Sequence, residues 1–233
     1  MGNIFSNLDW SVVTNALLAI IPALICITFH ELSHGYVAYR LGDDTAKKMG
    51  RLTLNPIKHI DIFGLVMMAV FRFGWAKPVP VNMMRFRYPK RYMAITALAG
   101  PVSNVLLAII VFFIYGLAAG PLVPLIKDPG EASAAAYTLI MLYNTAYISV
   151  ALAVFNLLPI PPLDGSKVLF SFIPDAHYYK LMRFERYGMI LLIVIVTDVF
   201  GRVSIFSDTI GRGTAALLEK LAFFANAAYR LVN

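Results

Sequence analysis

The sequence predicts an all-α, polytopic membrane protein: about four full transmembrane helices, a re-entrant or β-like segment, and a C-terminal interfacial helix. Three observations lead there. Of 233 residues 59% are hydrophobic and only 14% charged, and the mean hydropathy is +0.72, far more apolar than a water-soluble domain of this size. The apolar residues gather into runs long enough to cross a bilayer. The lysines and arginines lie in loops beside those runs, as topology determinants do, so the net charge of +7 does not argue for nucleic acid. The single cysteine, Cys26, sits in the first apolar run and excludes a disulfide framework.

Residues 1–9 are polar and lack a basic n-region and cleavage site, so the first helix is expected to stay attached. That helix covers about 10–39, with Trp10 as an interfacial anchor and Pro22 as a kink. In the polar loop that follows, Arg51 to Leu54 reads as a short strand and Asn55-Pro56 as a turn. Residues 62–76 are apolar but too short for a comfortable span, and Lys77 to Asn82, with prolines at 78 and 80, reads as extended; together 62–82 form the re-entrant segment.

A second span covers about 92–120, a third about 132–158, and a fourth about 187–206. In the fourth, Asp198 and Arg202 are spaced for an i,i+4 ion pair. An amphipathic helix over 209–231 carries Arg212, Glu219 and Arg230 on one face and leucines on the others, the pattern of an interfacial helix. No repeat and no soluble segment interrupts the chain, so residues 1–233 are expected to form one membrane-embedded domain.

Charge counting orients the spans. If 62–76 does not cross, residues 40–91 and 159–186 share one side and hold 11 and 4 of the 20 Lys and Arg, against 5 opposite. The positive-inside rule then puts these loops in the cytoplasm and both termini outside.

The chemistry lies at the end of the first span. His30-Glu31-Leu32-Ser33-His34 is an H-E-x-x-H sequence, which on a helix stacks two imidazoles on one face within reach of one metal ion. A histidine pair one turn apart is often plain surface. Here no charged residue precedes it from Trp10 to Phe29, and ionisable groups inside a membrane helix are costly and functional by default. Glu31 is placed to take a proton from water. Catalytic zinc needs a third protein ligand, and Arg40 stands where a metzincin has its third histidine. His59, Asp43, Asp44 and Asp61 are rivals; Asp164 is favoured, because the proline-rich turn from Asn156 to Gly165 holds it rigidly at the cytoplasmic end of the third span. Gly100 and Asn104, one turn apart, suit close helix packing as well as a functional role.

These residues resemble the site-2 protease family of intramembrane zinc metalloproteases, in its compact form without PDZ or CBS domains. The likeness rests on His30 to His34, on Asn156 to Gly165, and on Gly100-Pro101-Val102-Ser103-Asn104, which is similar to the family's glycine-to-asparagine motif. The resemblance implies Zn2+ held by His30, His34 and Asp164, Glu31 as the catalytic residue that activates water, and Asn156 and Asn104 as substrate-binding residues. It implies regulated intramembrane proteolysis of transmembrane protein substrates at the plasma membrane, in the lipid bilayer and compatible with a homo-oligomer. Lys77 to Asn82 is expected to pair with the unwound substrate as an added strand. A catalytically inactive helix-binding relative and a metal transporter are the alternatives; transporters usually show paired half-repeats, absent from this sequence.

Overall fold

The computed structural model describes residues 10–64, 75–126, 133–188 and 203–232, with 190, 192 and 194. Among them the secondary structure is entirely helical. Helix α1 runs Trp10–Arg40, α2 Thr45–Lys48, α3 Pro89–Leu122, α4 Ala134–Asn156, α5 Asp164–Phe170, α6 Asp175–Phe184 and α7 Val203–Val232, with short 3-10 turns between. α1, α3 with its extension to Leu125, and α4 are long and apolar enough to cross a membrane. With 31 residues α1 is about 46 Å long, more than a hydrocarbon core of about 30 Å requires, so its end projects towards the headgroups.

The outward faces suit lipid. Leu17, Ile21 and Ile25 on α1 and Leu106, Ile110 and Ile114 on α3 are all exposed, stripes that water would penalise and acyl chains accept. Polar groups point inward. Pro22 has no N–H for the Leu18 carbonyl one turn back, and the Asn144 side chain of α4 donates to that oxygen at 2.9 Å. Ser149 Oγ likewise donates to the Asn104 carbonyl across the α3–α4 contact at 2.8 Å.

α3 is the central element, packing on α1, α4, α5 and α7. The helix expected over 209–231 is α7, starting at Val203, and part of its apolar face packs in the bundle. Leu221 is buried with Ala108, Val111 and Phe112 of α3 and Ala146 and Val150 of α4. A side chain at Gly116 would meet the Ala225 carbonyl at 2.1 Å, so α3 and α7 approach backbone to backbone. Periodicity identified an apolar face without saying what covers it.

Two other expectations change or fall outside view. Residues 51–54 form no strand among the described residues: the Arg51 amide closes α2 on the Ala46 carbonyl, and its guanidinium bonds the Lys77 carbonyl at 2.8 Å. The fourth span over 187–206, with its Asp198–Arg202 pair, lies mostly outside the described residues, as does 65–74 of the re-entrant segment.

α1 and α3 run antiparallel, as do α3 and α4, which brings the end of α1, the start of α3 and the end of α4 to one end of the bundle. α1 stops there at Gly42, whose φ of +107° favours glycine.

Candidate metal centre

His30 and His34 project from one face of α1, each less than a tenth exposed. His34 Nδ1 lies 2.7 Å from the Thr96 carbonyl of α3. A carbonyl only accepts, so Nδ1 carries the proton and Nε2 presents its lone pair. His34 Nε2 is 3.0 Å from His30 Nε2, and Asp164 Oδ2 is 3.1 Å from His30 Nε2 and 3.0 Å from His34 Nε2. These three form the one metal-ligating group of three or more His, Cys, Asp or Glu found among the described residues.

Asp164 reaches this point because the chain stops being helical at Asn156 and restarts at Asp164. The Leu163 amide bonds the Ile160 carbonyl at 2.9 Å, and Ser166 Oγ caps the Leu163 carbonyl at 2.7 Å. Gly165 lies so close to the end of α4 that a Cβ would sit 2.2 Å from the Leu157 carbonyl. Lys167, one turn on, lies between Asp164 Oδ1 at 3.6 Å and Glu185 Oε1 at 3.1 Å. Burial opposes ionisation of Asp164, but His34, His30 and Lys167 more than compensate and hold its carboxyl well below the usual carboxylate range. Burial also works against the Lys167 charge; Glu185 and Asp164 outweigh it and raise the ammonium above its ordinary value.

The donor set fits a zinc ion. Two imidazole nitrogens and a carboxylate oxygen, mutually 3.0–3.1 Å apart, approach the roughly 3.3 Å edge of a tetrahedron with bonds of about 2.0–2.1 Å. Gly100 of α3 leaves the room: a Cβ there would fall 2.4 Å from His34 Nε2 and 2.5 Å from His30 Cε1.

Glu31 Oε2 accepts from the Val79 amide at 2.7 Å; among the described residues no protein group bonds Oε1. Glu31 also lies where two cavities join. One, about 520 Å³, is bounded by apolar residues such as Ala23, Ile27, Ile148 and Leu152; the other, about 320 Å³, carries Asp164, Lys167 and Glu185. His30, Glu31, Asn156 and Pro162 line both. Asn156 is thus beside the metal-ligating group, its Nδ2 donating to the Leu152 carbonyl at 3.0 Å.

Asn104 stands apart. It is fully buried between α3 and α4, lines neither cavity, and its amide finds no partner among the described residues. The rival ligands are occupied elsewhere. His59 Nε2 bonds the Thr53 carbonyl at 2.9 Å, Asp43 accepts from Thr45 and Asn82, Asp44 pairs with Lys48 and Arg85, and Asp61 accepts from the Gly64 amide. Lys77 to Asn82, expected to pair with substrate as an added strand, has most of its amides engaged. The amides of Lys77, Val79 and Asn82 are committed to His59 O, Glu31 and Asp43, and prolines 78 and 80 have none, which leaves an incoming strand only the Val81 amide.

Sequence reasoning did not find Thr96, Lys167, Glu185 or Val79. Lys167 carried a signal, its i,i+3 spacing from Asp164; the others act through contacts distant in sequence.

Comparison with known proteins agrees with this geometry. Peptidase family M50 matches residues 118–197, a stretch containing the Asn156 to Gly165 turn. The chain is 42% identical over 184 residues to "Putative zinc metalloprotease YwhC" of Bacillus subtilis, covering 78% of this chain and 81% of that one. It is 32% identical over 162 residues to "Putative zinc metalloprotease MJ0611" of Methanocaldococcus jannaschii, covering 66% of this chain and 72% of that one. With "Putative zinc metalloprotease Rip2" of Mycolicibacterium smegmatis it shares 28% identity, over 77% of this chain and 66% of that one. No solved structure matches. With this metal-ligating group at the end of apolar helices and this identity to YwhC over most of both chains, the chain belongs to Peptidase family M50, the site-2 protease family of membrane metalloproteases.

Proposed function

We propose that the protein is an intramembrane zinc metalloprotease that hydrolyses peptide bonds in or near transmembrane segments of other membrane proteins, as in regulated intramembrane proteolysis. The observation that carries this reading is the meeting of His30 Nε2, His34 Nε2 and Asp164 Oδ2 beside Glu31, where an apolar and a polar cavity join. His30, His34 and Asp164 would hold the zinc. Zinc in such a site supplies Lewis acidity, bringing the pKa of water down to about 7 and polarising a carbonyl.

The chain's own residues do the rest. Glu31 takes the proton of the attacking water on Oε1 and passes it to the amide nitrogen as the C–N bond breaks, ending unprotonated. Thr96 fixes the tautomer of His34 and so keeps its Nε2 lone pair on the site. Asn156, lining both cavities, holds the substrate backbone. The apolar cavity receives residues drawn from the bilayer, and the polar cavity receives the segment leaving it and admits water.

Residues 1–233 act as a single membrane-embedded protease domain in the plasma membrane, with the site towards the cytoplasm and both termini outside. The charge asymmetry of the loops supports this orientation.

The test is metal content and cleavage measured together. Wild type, Glu31→Gln and Asp164→Ala are purified in detergent, assayed for zinc and incubated with a panel of labelled single-span polypeptides. Wild type is expected to hold about one zinc and cut; Glu31→Gln to keep zinc and lose cleavage; Asp164→Ala to lose both. Zinc-replete wild type that cuts nothing, with Glu31→Gln equally able to capture single-span polypeptides, indicates a helix-binding protein instead. Zinc flux into proteoliposomes indicates a transporter.

A further inference from the structure

We propose that the backbone amide of Val79 is a positioning group for Glu31, and that the Pro78-Val79-Pro80 sequence exists to present that one donor. The inference rests on the reading of Glu31 as the proton acceptor. A general base on a flexible side chain works only when one oxygen faces its water. Here the Val79 N–H takes Glu31 Oε2 at 2.7 Å, a charge-assisted bond, and leaves Oε1 without a protein partner among the described residues, on a side chain that lines both cavities.

The donor is itself held. The Lys77 amide donates to the His59 carbonyl at 2.9 Å, the Arg51 guanidinium to the Lys77 carbonyl at 2.8 Å, and the Asn82 amide to Asp43 Oδ2 at 2.6 Å. Val79 packs towards Gly35 of α1, where a Cβ would come within 2.9 Å of its side chain. Proline on either side fixes φ at 78 and 80 and strips both positions of N–H. Between Lys77 and Pro80, Glu31 therefore has one donor to choose from, since the Lys77 amide is committed to His59 and the prolines have none. The proline pair, which serves badly for strand addition, serves this purpose well.

The test replaces the Val79 amide in the full-length chain. Val79→Pro removes the N–H genetically. A backbone ester, introduced as the hydroxy-acid analogue of valine by nonsense suppression, removes it without a ring. Each is assayed on a single-span polypeptide that wild type cuts, beside Glu31→Gln. The ester variant is expected to keep its zinc and its KM within about twofold and to lose about 10- to 100-fold in kcat, the range for a charge-assisted hydrogen bond. The carboxylate infrared band assigned to Glu31, found by its loss in Glu31→Gln, is expected to shift in the ester variant.

Wild-type kcat and an unshifted band in the ester variant overturn the proposal. So does a loss of zinc in parallel with kcat, which marks the segment as merely structural. If Val79→Pro does not fold, the ester decides. Full activity in Glu31→Gln defeats the underlying reading of Glu31, whereas an inactive Glu31→Gln beside a fully active ester defeats this inference alone.

Discussion

Replacing Gly100 by alanine sets two well-known effects against each other. In an ordinary helix interior the change stabilises by about 0.8–1.0 kcal/mol, because glycine is the poorer helix former. Here the added methyl would lie 2.4 Å from His34 Nε2 and 2.5 Å from both His30 Cε1 and His34 Cε1, about 1 Å inside the 3.5–4.0 Å at which such atoms attract. His34 cannot retreat while its Nδ1 is held by the Thr96 carbonyl at 2.7 Å, and both rings are buried. The methyl must therefore push ligand nitrogens off their meeting point by several tenths of an ångström, where metal sites tolerate about 0.2 Å. Zinc affinity is expected to fall by about 10- to 100-fold or more, the scale on which disturbing a ligand's support acts. Chelator competition in detergent measures this directly. Thermal unfolding with and without zinc supplies the control: the metal-free variant is expected to match or exceed wild type, and the stabilisation by added zinc to shrink. A Gly100→Ala protein that binds zinc as tightly as wild type and cleaves at its rate would refute the placement of α3 against the two histidines.

Three further outcomes test other parts of the structure. Asn156→Ala is expected to raise KM while zinc content stays constant, since the residue lines both cavities and its side chain donates to the Leu152 carbonyl; titrating a cleaved single-span polypeptide checks it. Gly116→Leu is expected to destabilise the bundle by about 1–3 kcal/mol, as overpacking does, by forcing α3 from the Ala225 carbonyl of α7; unfolding in detergent measures it. Asn144→Leu, close in volume but without a donor, leaves the Leu18 carbonyl unpaired and is expected to cost about 0.6–2 kcal/mol by the same measurement.

Much of the site was legible because its spacing is local. His30 and His34 are four residues apart, and a helix alone makes them neighbours; the prolines before Asp164 announced a rigid turn in the same way. The choice of Asp164 over His59 or Asp61 was only a preference, since it depends on how α4 ends relative to α1, a contact across 134 residues of chain. Gly100 was seen as a packing glycine, and it is one, but its packing partners are the imidazoles themselves. Residues 51–54 had strand composition, but among the described residues no strand lies beside them, and Arg51 bonds α2 and Lys77. α7 illustrates the same limit: leucines on one face foretold burial, and only the three-dimensional arrangement identified α3 rather than lipid as the cover.

The bond from Asn144 to Leu18 has a meaning beyond stability. Pro22 makes α1 a jointed rod, and the joint lies beside Ala19 and Ala23, which wall the apolar cavity opposite Ile148 and Leu152 of α4. One amide thus fastens the two walls together at membrane depth, three helical turns from the histidines along α1. The chamber beside the histidine pair has its two walls tied at its far end, like a pair of tongs pinned remote from the jaws.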